Sequence, residues 1–213
     1  MTDILTGAFP GPPATGQFPG VTVGTVSNVD DPAKRGRVKV KLILIAGQED
    51  SAWAQVATPM AGAGRGMYFI PEVGDLVLVA FAHGAPECPY VIGSLWNGRD
   101  EPPVPADGGK NDVREIRSRS GHTIRLTDTA DAETIEIVDA GGRNRVVLST
   151  KDKRITVTAD AEVVVETGGG RLRIDRQGVA ITSEAGLSVK AKTALTLESE
   201  GQVTIKGKLV DIN

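Results

Sequence analysis

The sequence predicts an all-β protein with two unlike halves, a small barrel followed by a β-rod. Short runs of alternating apolar and polar residues recur along the chain, and no segment carries a helical stripe of useful length. All twelve prolines lie at or before Pro105, and all eight aromatic residues lie at or before Trp96. A globular core rarely lacks aromatic residues, since they carry so much buried area. The second half must therefore be built on a different plan.

Bulk composition excludes several classes of protein. The chain has 213 residues, enough for one large domain or two small ones, and its formal net charge of −3 gives no reason to expect a nucleic-acid partner. A single cysteine, Cys88, cannot form an internal disulfide, which favours synthesis in a reducing compartment. The amino terminus has no signal-peptide pattern, and no apolar run approaches the ~20 residues that cross a bilayer.

Proline and glycine usage predicts four segments. Residues 1–20 are rich in proline, have no periodicity and are expected to form an extended arm that is ordered only when something binds it. Residues 21–98 are the predicted barrel, and residues 99–112 read as an exposed Pro/Gly linker. Residues 113–213 are the predicted rod.

The barrel is predicted from five to six short strands separated by turns. "GVTVGTVSNVD" alternates, and "DDPAKRG" is a turn. "GRVKVKLIL" then places four apolar residues on one face: Val38, Val40, Leu42 and Leu44. "SAWAQVATPM" is a third strand, and "GAGRGMYFIP" is a turn entering a short aromatic strand. "GDLVLVAFAHG" is a buried strand, and "PYVIGSLWNG" closes the set.

Individual residues of the barrel are predicted to have structural roles. Gly93 indicates a bulge or a bend in the wall. Trp96 is expected to plug the barrel end, with its ring buried and its N–H bound to a carbonyl. Carboxylates in polar turns, such as Asp30 and Asp31, are expected to be solvated.

Three features in a fixed order carry a family resemblance. "RGRVKVKL" follows an Asp-Asp-Pro turn, "IPEVGDLVLVAF" comes next, and "YVIGSLWNG" ends the barrel. Over roughly residues 21–104 the chain resembles the OB-fold domain of the phage baseplate assembly protein V family. That family includes the central spikes of contractile phage tails and the VgrG spike of type VI secretion. The resemblance implies an OB-fold barrel followed by an intertwined trimeric β-helix, here without a lysozyme domain.

The rod is predicted from apolar-x-apolar pairs whose spacing settles near eight residues. Two aliphatic residues contribute ~1.5–3 kcal/mol each when buried, too little to offset ~1–2 kcal/mol of backbone entropy for each residue ordered. The pairs must therefore meet other pairs across a narrow axis. Periodicity alone leaves two arrangements open, an antiparallel meander and an intertwined trimer. The resemblance implies the trimer, while residues 113–150 remain open between the two.

The predicted trimer core consists of the regular pairs in the second half of the chain. These are Ile155, Val157, Val163, Val165, Leu172, Ile174, Val179, Ile181, Leu187, Val189, Leu195, Leu197, Val203 and Ile205.

No motif predicts catalysis, a cofactor or a metal. His83 and Cys88 lie near each other, but a zinc site needs about four ligands and the second histidine, His122, belongs to the other half. "GAGRG", residues 62–66, lacks the Lys-Ser/Thr and the helix of a phosphate loop and is predicted to be a plain turn.

The resemblance implies a structural, non-enzymatic function. The chain is expected to be the homotrimeric central spike of a contractile injection machine, assembled in the bacterial cytoplasm and carried in a tail or particle baseplate. Its expected partners are a baseplate hub protein, the target membrane on firing, and a small PAAR-like tip protein, without nucleic acid. The tip protein is expected to contact Val210, Ile212 and Asn213.

Two other functions stay open from the residues themselves. The first is an OB-fold module that binds nucleic acid or sugar, since basic residues cluster at Lys34, Arg35, Arg37, Lys39 and Lys41. The second is a polysaccharide-degrading enzyme on a β-rod, which would need charged residues grouped on one face of the rod.

Overall fold

A computed structural model describes residue 18 and residues 20–43, 50–105 and 107–211. The predicted arm therefore lies almost wholly outside the described residues, as do Leu44, Ile212 and Asn213. What is described is nearly all β, with short 3-10 turns at Ala82–Gly84 and Asp107–Gly109, which confirms the predicted fold class. The chain forms two compact units that divide between Pro102 and Pro103. The finer boundaries at residues 21–98, 99–112 and 113–213 stay predictions.

The first unit is a curled sheet of five strands with a small hairpin attached. Its strands are β1 Val21–Asn28, β2 Lys39–Leu42, β3 Gln55–Val56, β4 Ala61–Gly62, β5 Arg65–Gly66, β6 Leu76–Phe81 and β7 Pro89–Leu95. The sheet has the order β2-β1-β6-β7-β3, and β4 pairs with β5. Val38 and Ala54 exchange backbone hydrogen bonds of 3.0 and 2.8 Å. This bridge brings the edges of the sheet together, so the sheet curls into a barrel.

The interior of the barrel comes from the predicted alternation. Val38, Val40 and Leu42 are buried as predicted, and they pack with alternate residues of β6 such as Val77 and Val79. The lysines between them face outward. The interior is one continuous hydrophobic cluster that includes Phe81, so this unit has a core of its own.

The bulge predicted at Gly93 is confirmed. Leu78 of β6 faces Gly93, but the next residue, Val79, faces Val91. Ile92 is therefore the extra residue that a β-bulge inserts, and it bends this wall of the barrel.

Two predictions about aromatic residues are wrong. Met67–Ile70 form no strand, and Tyr68 is 80% exposed, because the Thr58 hydroxyl donates to the Met67 carbonyl at 2.7 Å and holds this segment on a loop outside the sheet. Trp96 does not plug the barrel. It follows the last residue of β7 and is 68% exposed.

Phe18 belongs to the barrel rather than to a free arm. Its ring stacks on Phe81 with centroids 5.0 Å apart, and its backbone N–H donates to the Gly84 carbonyl at 2.9 Å. Composition alone placed it among the prolines of the arm, because one aromatic residue in an aperiodic segment has no pattern that reveals its contact.

The second unit consists of two antiparallel meanders. Its strands are β8 Val113–Arg117, β9 Thr123–Thr127, β10 Thr134–Val138, β11 Arg145–Ser149, β12 Arg154–Thr158, β13 Glu162–Thr167, β14 Gly170–Asp175 and β15 Gly178–Ser183. The first sheet runs β12-β11-β10-β9-β8, and the second runs β13-β14-β15. From Glu184 to Asp211 the described backbone has no strand pairing. Within one chain, the strands up to Ser183 therefore pair as antiparallel meanders.

Candidate functional site

One face of each sheet in the second unit is lined with aliphatic side chains. Ile137 of β10 stands opposite Ile124 of β9 and Val146 of β11. In the second sheet, Leu172 of β14 stands opposite Val165 of β13 and Ile181 of β15. Because side chains alternate across a strand, the predicted pairs from Ile124 onward all project on the same side of their sheet. We call this side the apolar face.

The apolar face is not covered by the rest of the described chain. Ile137 is 54% exposed and Ile155 is 69% exposed. Every fully buried hydrophobic residue that the structure describes belongs to the barrel. Monomeric proteins rarely leave such a large contiguous apolar surface in water. The second unit therefore exposes one side of a hydrophobic core and lacks the surface that would cover it.

The predicted trimer-core residues fall into two groups. The first eight lie in strands on the apolar face: Ile155, Val157, Val163, Val165, Leu172, Ile174, Val179 and Ile181. The other six lie in the unpaired stretch after Ser183: Leu187, Val189, Leu195, Leu197, Val203 and Ile205. No single chain brings the two groups together in strand pairing within the described residues. Of the predicted tip contacts, Val210 is exposed, while Ile212 and Asn213 lie outside the described residues.

Ion pairs lie on the opposite face of the sheets. The Glu115 carboxylate is almost fully buried between Arg117 and Arg125, whose Nε atoms lie 2.7 and 2.5 Å from its two oxygens. In the second sheet, Arg173 is 2.8 Å from Glu162 and 2.6 Å from Asp175. The partly exposed pairs around Arg173 contribute little stability each. Their charged groups make this face suited to contact with water, in contrast to the apolar face.

Residues 184–211, which we call the unpaired stretch, have the same apolar-x-apolar pattern, but their backbone pairs with no strand of the described chain. Leu195 is 57% exposed, and the neighbouring apolar residues are similarly open. The six members of the apolar pairs from Leu187 to Ile205 all have odd numbers. Within each pair, the two members point to the same side of a locally extended backbone, and bends at residues 192–193 and 200–201 lie between the pairs.

The parity of the spacing separates paired from unpaired strands. From Ile124 to Ile155 the first members of successive pairs are 11, 11 and 9 residues apart, and from Val163 to Val179 they are 9 and 7 apart. Each of these odd spacings is a hairpin. The spacing from Ile155 to Val163, where the sheet breaks, is 8.

A simple geometric reason underlies this rule. A hairpin whose loop has an even number of residues pairs an odd-numbered position with an even-numbered one, so an odd spacing returns each apolar pair to the same face. After an even spacing, the next apolar pair stays on the same face in two cases. Either the chain continues in the same direction without a hairpin, or the hairpin loop has an odd number of residues. β8 and β9 use the latter, with a five-residue loop, residues 118–122, that contains Gly121 at a φ of +98°.

Two residues considered for chemistry, His122 and Cys88, lie in different units. The His122 Nδ1 accepts a hydrogen bond from the Ala140 N–H at 3.2 Å, and Cys88 is an exposed free thiol. Within the described ranges, no three or more histidine, cysteine, aspartate or glutamate residues are grouped to hold a metal ion. Nor does any helix found there have the length and apolar character to span a membrane.

The prediction that Asp31 is solvated is wrong. Its side chain is 3% exposed and receives hydrogen bonds from Arg37 Nη2 at 2.7 Å and Nε at 3.0 Å. The backbone N–H groups of Ala33 and Arg35 donate to it at 3.0 and 2.9 Å. The Arg37 guanidinium and these amides hold the pKa of Asp31 well below its usual range, although burial opposes the shift. The Asp31 carboxylate therefore organises the turn between β1 and β2. The sequence showed only that the turn contains acidic residues, and it did not show this role.

Comparison with known proteins identifies the first unit. Residues 22–96 match the family model for the type VI secretion system/phage-baseplate injector OB domain. The match spans the barrel that β1 to β7 form.

Several spike proteins are similar to this chain over longer stretches. The type VI secretion system spike protein VgrG1a of Pseudomonas aeruginosa is 28% identical over 52% of this chain and 18% of its own length. VgrG4b of the same species is 34% identical over 47% of this chain and 14% of its own length. The actin cross-linking toxin VgrG1 of Vibrio cholerae is 24% identical over 84% of this chain and 15% of its own length.

The chain thus spans less than a fifth of the length of the relatives it matches, so it corresponds to one portion of such proteins. The Vibrio match extends beyond the barrel, because 187 residues are aligned. Residues 22–96 thus carry the injector OB domain, and the chain is similar to VgrG spike proteins over this domain and beyond it.

Proposed function

We propose that this chain is the structural central spike of a contractile injection machine, and that three copies assemble into one rod. The barrel would seat on the baseplate hub, and the second unit would point toward the target envelope. The observation that carries the proposal is the uncovered apolar face, which is in register within each of the two sheets and whose sequence pattern continues into the unpaired stretch.

Three copies complete the core that one copy lacks. With three apolar faces turned inward, aliphatic pairs meet across a shared axis and gain roughly 25 cal/mol for each Å² of apolar surface removed from water. The absence of aromatic residues after Trp96 fits an axis too narrow for rings. Strands of residues 184–211, unpaired in one chain, then find hydrogen-bonding partners in the other two.

The mechanism in this proposal is mechanical. A trimeric rod whose strands pair with those of other copies has no free sheet edge along its length, and it transmits the force of contraction without bending at a flexible core. Phage tails, phage-derived particles and extracellular injection systems would all use such a part. A small PAAR-like tip protein at Val210, Ile212 and Asn213 would cover the apolar end of the rod.

The barrel gives less support to a nucleic-acid or sugar-binding function. A stacking platform needs an open aromatic face beside a basic groove. Trp53 lies beside the basic cluster, and its face is occupied by the chain's own cations, with Arg37 5.7 Å and Lys39 5.5 Å from the ring centroid. Arg37 is in turn paired with Asp31.

Light scattering on the purified protein tests the proposal directly. One chain has a mass of 22.3 kDa, so a trimer has a mass of about 67 kDa. A mass of one chain at all accessible concentrations would exclude the shared rod. Co-purification of a tip protein with the full chain, and its loss when residues 208–213 are deleted, tests the tip contact separately.

A further inference from the structure

An apolar groove lies on the barrel beside the loop that the sequence had predicted to be a strand. Its volume is about 530 Å³, and it extends from Val56 at the sheet to Met60, Met67 and Tyr68 on the loop. Arg35 and Arg65 also line it, and none of the described residues that line it is acidic. We call this feature the loop groove.

The loop groove is built by fixed backbone. The Met67 N–H donates to the Met60 carbonyl at 3.0 Å, and β4 and β5 pair in between. At Gly66, a Cβ would lie 2.7 Å from the Met60 carbonyl oxygen, so only glycine allows this approach. At its other side, Ile70 and Tyr68 lie against Gly36. The hollow therefore exists before anything enters it.

The side chains of the loop groove are those found at protein contacts. Tyr68 is 80%, Phe69 is 60% and Met60 is 50% exposed. Aromatic residues, methionine and arginine are enriched where proteins bind one another, and methionine adapts to irregular partners. Grooves lined by aromatic residues bind proline-rich segments in the polyproline II conformation, since such segments lose little entropy on binding.

The chain itself contains a segment with matching chemistry. Residues 1–17 hold Phe9 and the run Pro10-Gly11-Pro12-Pro13, and their only charged side chain is the acidic Asp3. The groove, by contrast, is apolar with two arginines. The arm is anchored at Phe18, which packs on the same core as Val56 and Ile70 of the groove. Seventeen residues reach up to about 56 Å when extended, more than enough to cross a barrel of this size.

We propose that residues 1–17 of this chain dock in the loop groove, with Phe9 and the neighbouring prolines against Tyr68 and the two methionines. The arm would act as a strap on the barrel of its own copy. This docking does not depend on the proposed spike function, because every contact that carries it lies in the barrel unit.

Oxidative footprinting of the full chain tests the proposal. Hydroxyl radicals oxidise exposed methionine and tyrosine side chains, and mass spectrometry gives the rate at Met60, Met67 and Tyr68. Phe9→Asp should raise these rates several-fold, since a charged group cannot replace the ring in an apolar groove. Trp96, on another part of the same unit, should keep its rate and serves as the internal reference.

Thr6→Asp is the matched control, because it adds the same charge to the same arm at a polar position. It should leave the rates unchanged. Unaltered rates in Phe9→Asp would overturn the proposal, as would an equal rise in both variants. Light scattering on the same samples keeps the two hypotheses apart: the mass reports on the trimer, and the footprint reports on the groove.

Discussion

The barrel and the second unit are both built from short β-strands, but only the barrel buries its apolar side chains within one chain. In the barrel, Val26, Val38, Val40, Val77, Val79 and Val91 are each at most 1% exposed, so one chain completes the core. In the second unit, strands of five or six residues pair without a register shift, yet their aliphatic residues stay about half exposed. Strand pairing satisfies the backbone in both, but only the barrel curls and covers its own apolar face.

The difference teaches where each unit obtains its stability. A closed barrel gains from burial within one chain, so its folding does not depend on concentration. A flat apolar face gains only when another surface covers it, so its stability is tied to assembly. Charged substitutions should therefore disrupt assembly in the second unit and local folding in the barrel.

The largest expected effect is on the apolar face of the first sheet. Ile137→Asp would place three carboxylates on the shared axis, at a cost of several kcal/mol, and should reduce the mass in light scattering from that of a trimer to that of one chain. Circular dichroism should retain the strand signal of the barrel, whose core is complete within one chain, and should lose part of the signal of the second unit.

Val138→Asp is the matched control for that variant. The residue is adjacent but projects to the opposite face, where it stands opposite Arg145 and Thr123. It should keep the trimer. Equal loss of mass in both variants would contradict the assignment of the apolar face as the assembly surface.

A smaller effect is expected from a change of parity in the unpaired stretch. Inserting one glycine between Thr193 and Ala194 turns a spacing of 8 into 9, so Leu195 and later apolar residues would point away from the axis. The trimer mass should remain, while trypsin should cut at Lys206 and Lys208. Inserting two residues at the same point restores the phase and should restore resistance. Equal sensitivity of both insertions would show that parity does not matter here.

Leu195→Asp should have a more local effect than Ile137→Asp. It would loosen the unpaired stretch around one layer, and the sheets before Ser183 should still hold the trimer together. The expected result is unchanged mass with faster tryptic cleavage at Lys190 and Lys192. Thr196→Asp, on the opposite side of the extended chain, should show neither change. If Leu195→Asp abolished the trimer, the unpaired stretch would be the main source of assembly.

The smallest effect on assembly is expected within the barrel. Asp31→Asn removes the charge that Arg37 and two backbone amides stabilise, and it should lower the melting temperature at pH 7 by on the order of several degrees. Since the pKa of folded Asp31 is depressed, its contribution is present above the unfolded value near 4 and is lost as pH falls below it.

The difference in melting temperature between Asp31→Asn and the unaltered chain should therefore narrow below about pH 4. The trimer mass should not change. Asp30→Asn, at the exposed neighbouring position, is the control and should melt as the unaltered chain does. A difference independent of pH would mean that the carboxylate charge is not what stabilises the turn.

Much of this fold could be predicted because its signals are local. Period-two alternation identified the buried face around Val38 and Val40, a glycine in a strand indicated the bulge beside Ile92, and missing aromatic residues separated the two halves. Failures occurred where contacts are distant in sequence. Phe18 packs on Phe81, and Trp96 stays exposed. Neither outcome can be read from the residues next to them in the sequence.

The sequence by itself determined which side chains share a face, because alternation and spacing are properties of the covalent chain. It also held, in the odd spacings of 9 and 7 from Val163 to Val179, the information that these hairpins return each apolar pair to the same face. Only the tertiary structure decided that the barrel closes on itself and that the two sheets leave their apolar face open. Closure depends on Val38 meeting Ala54 across the sheet, and no local pattern determines whether two distant strands meet.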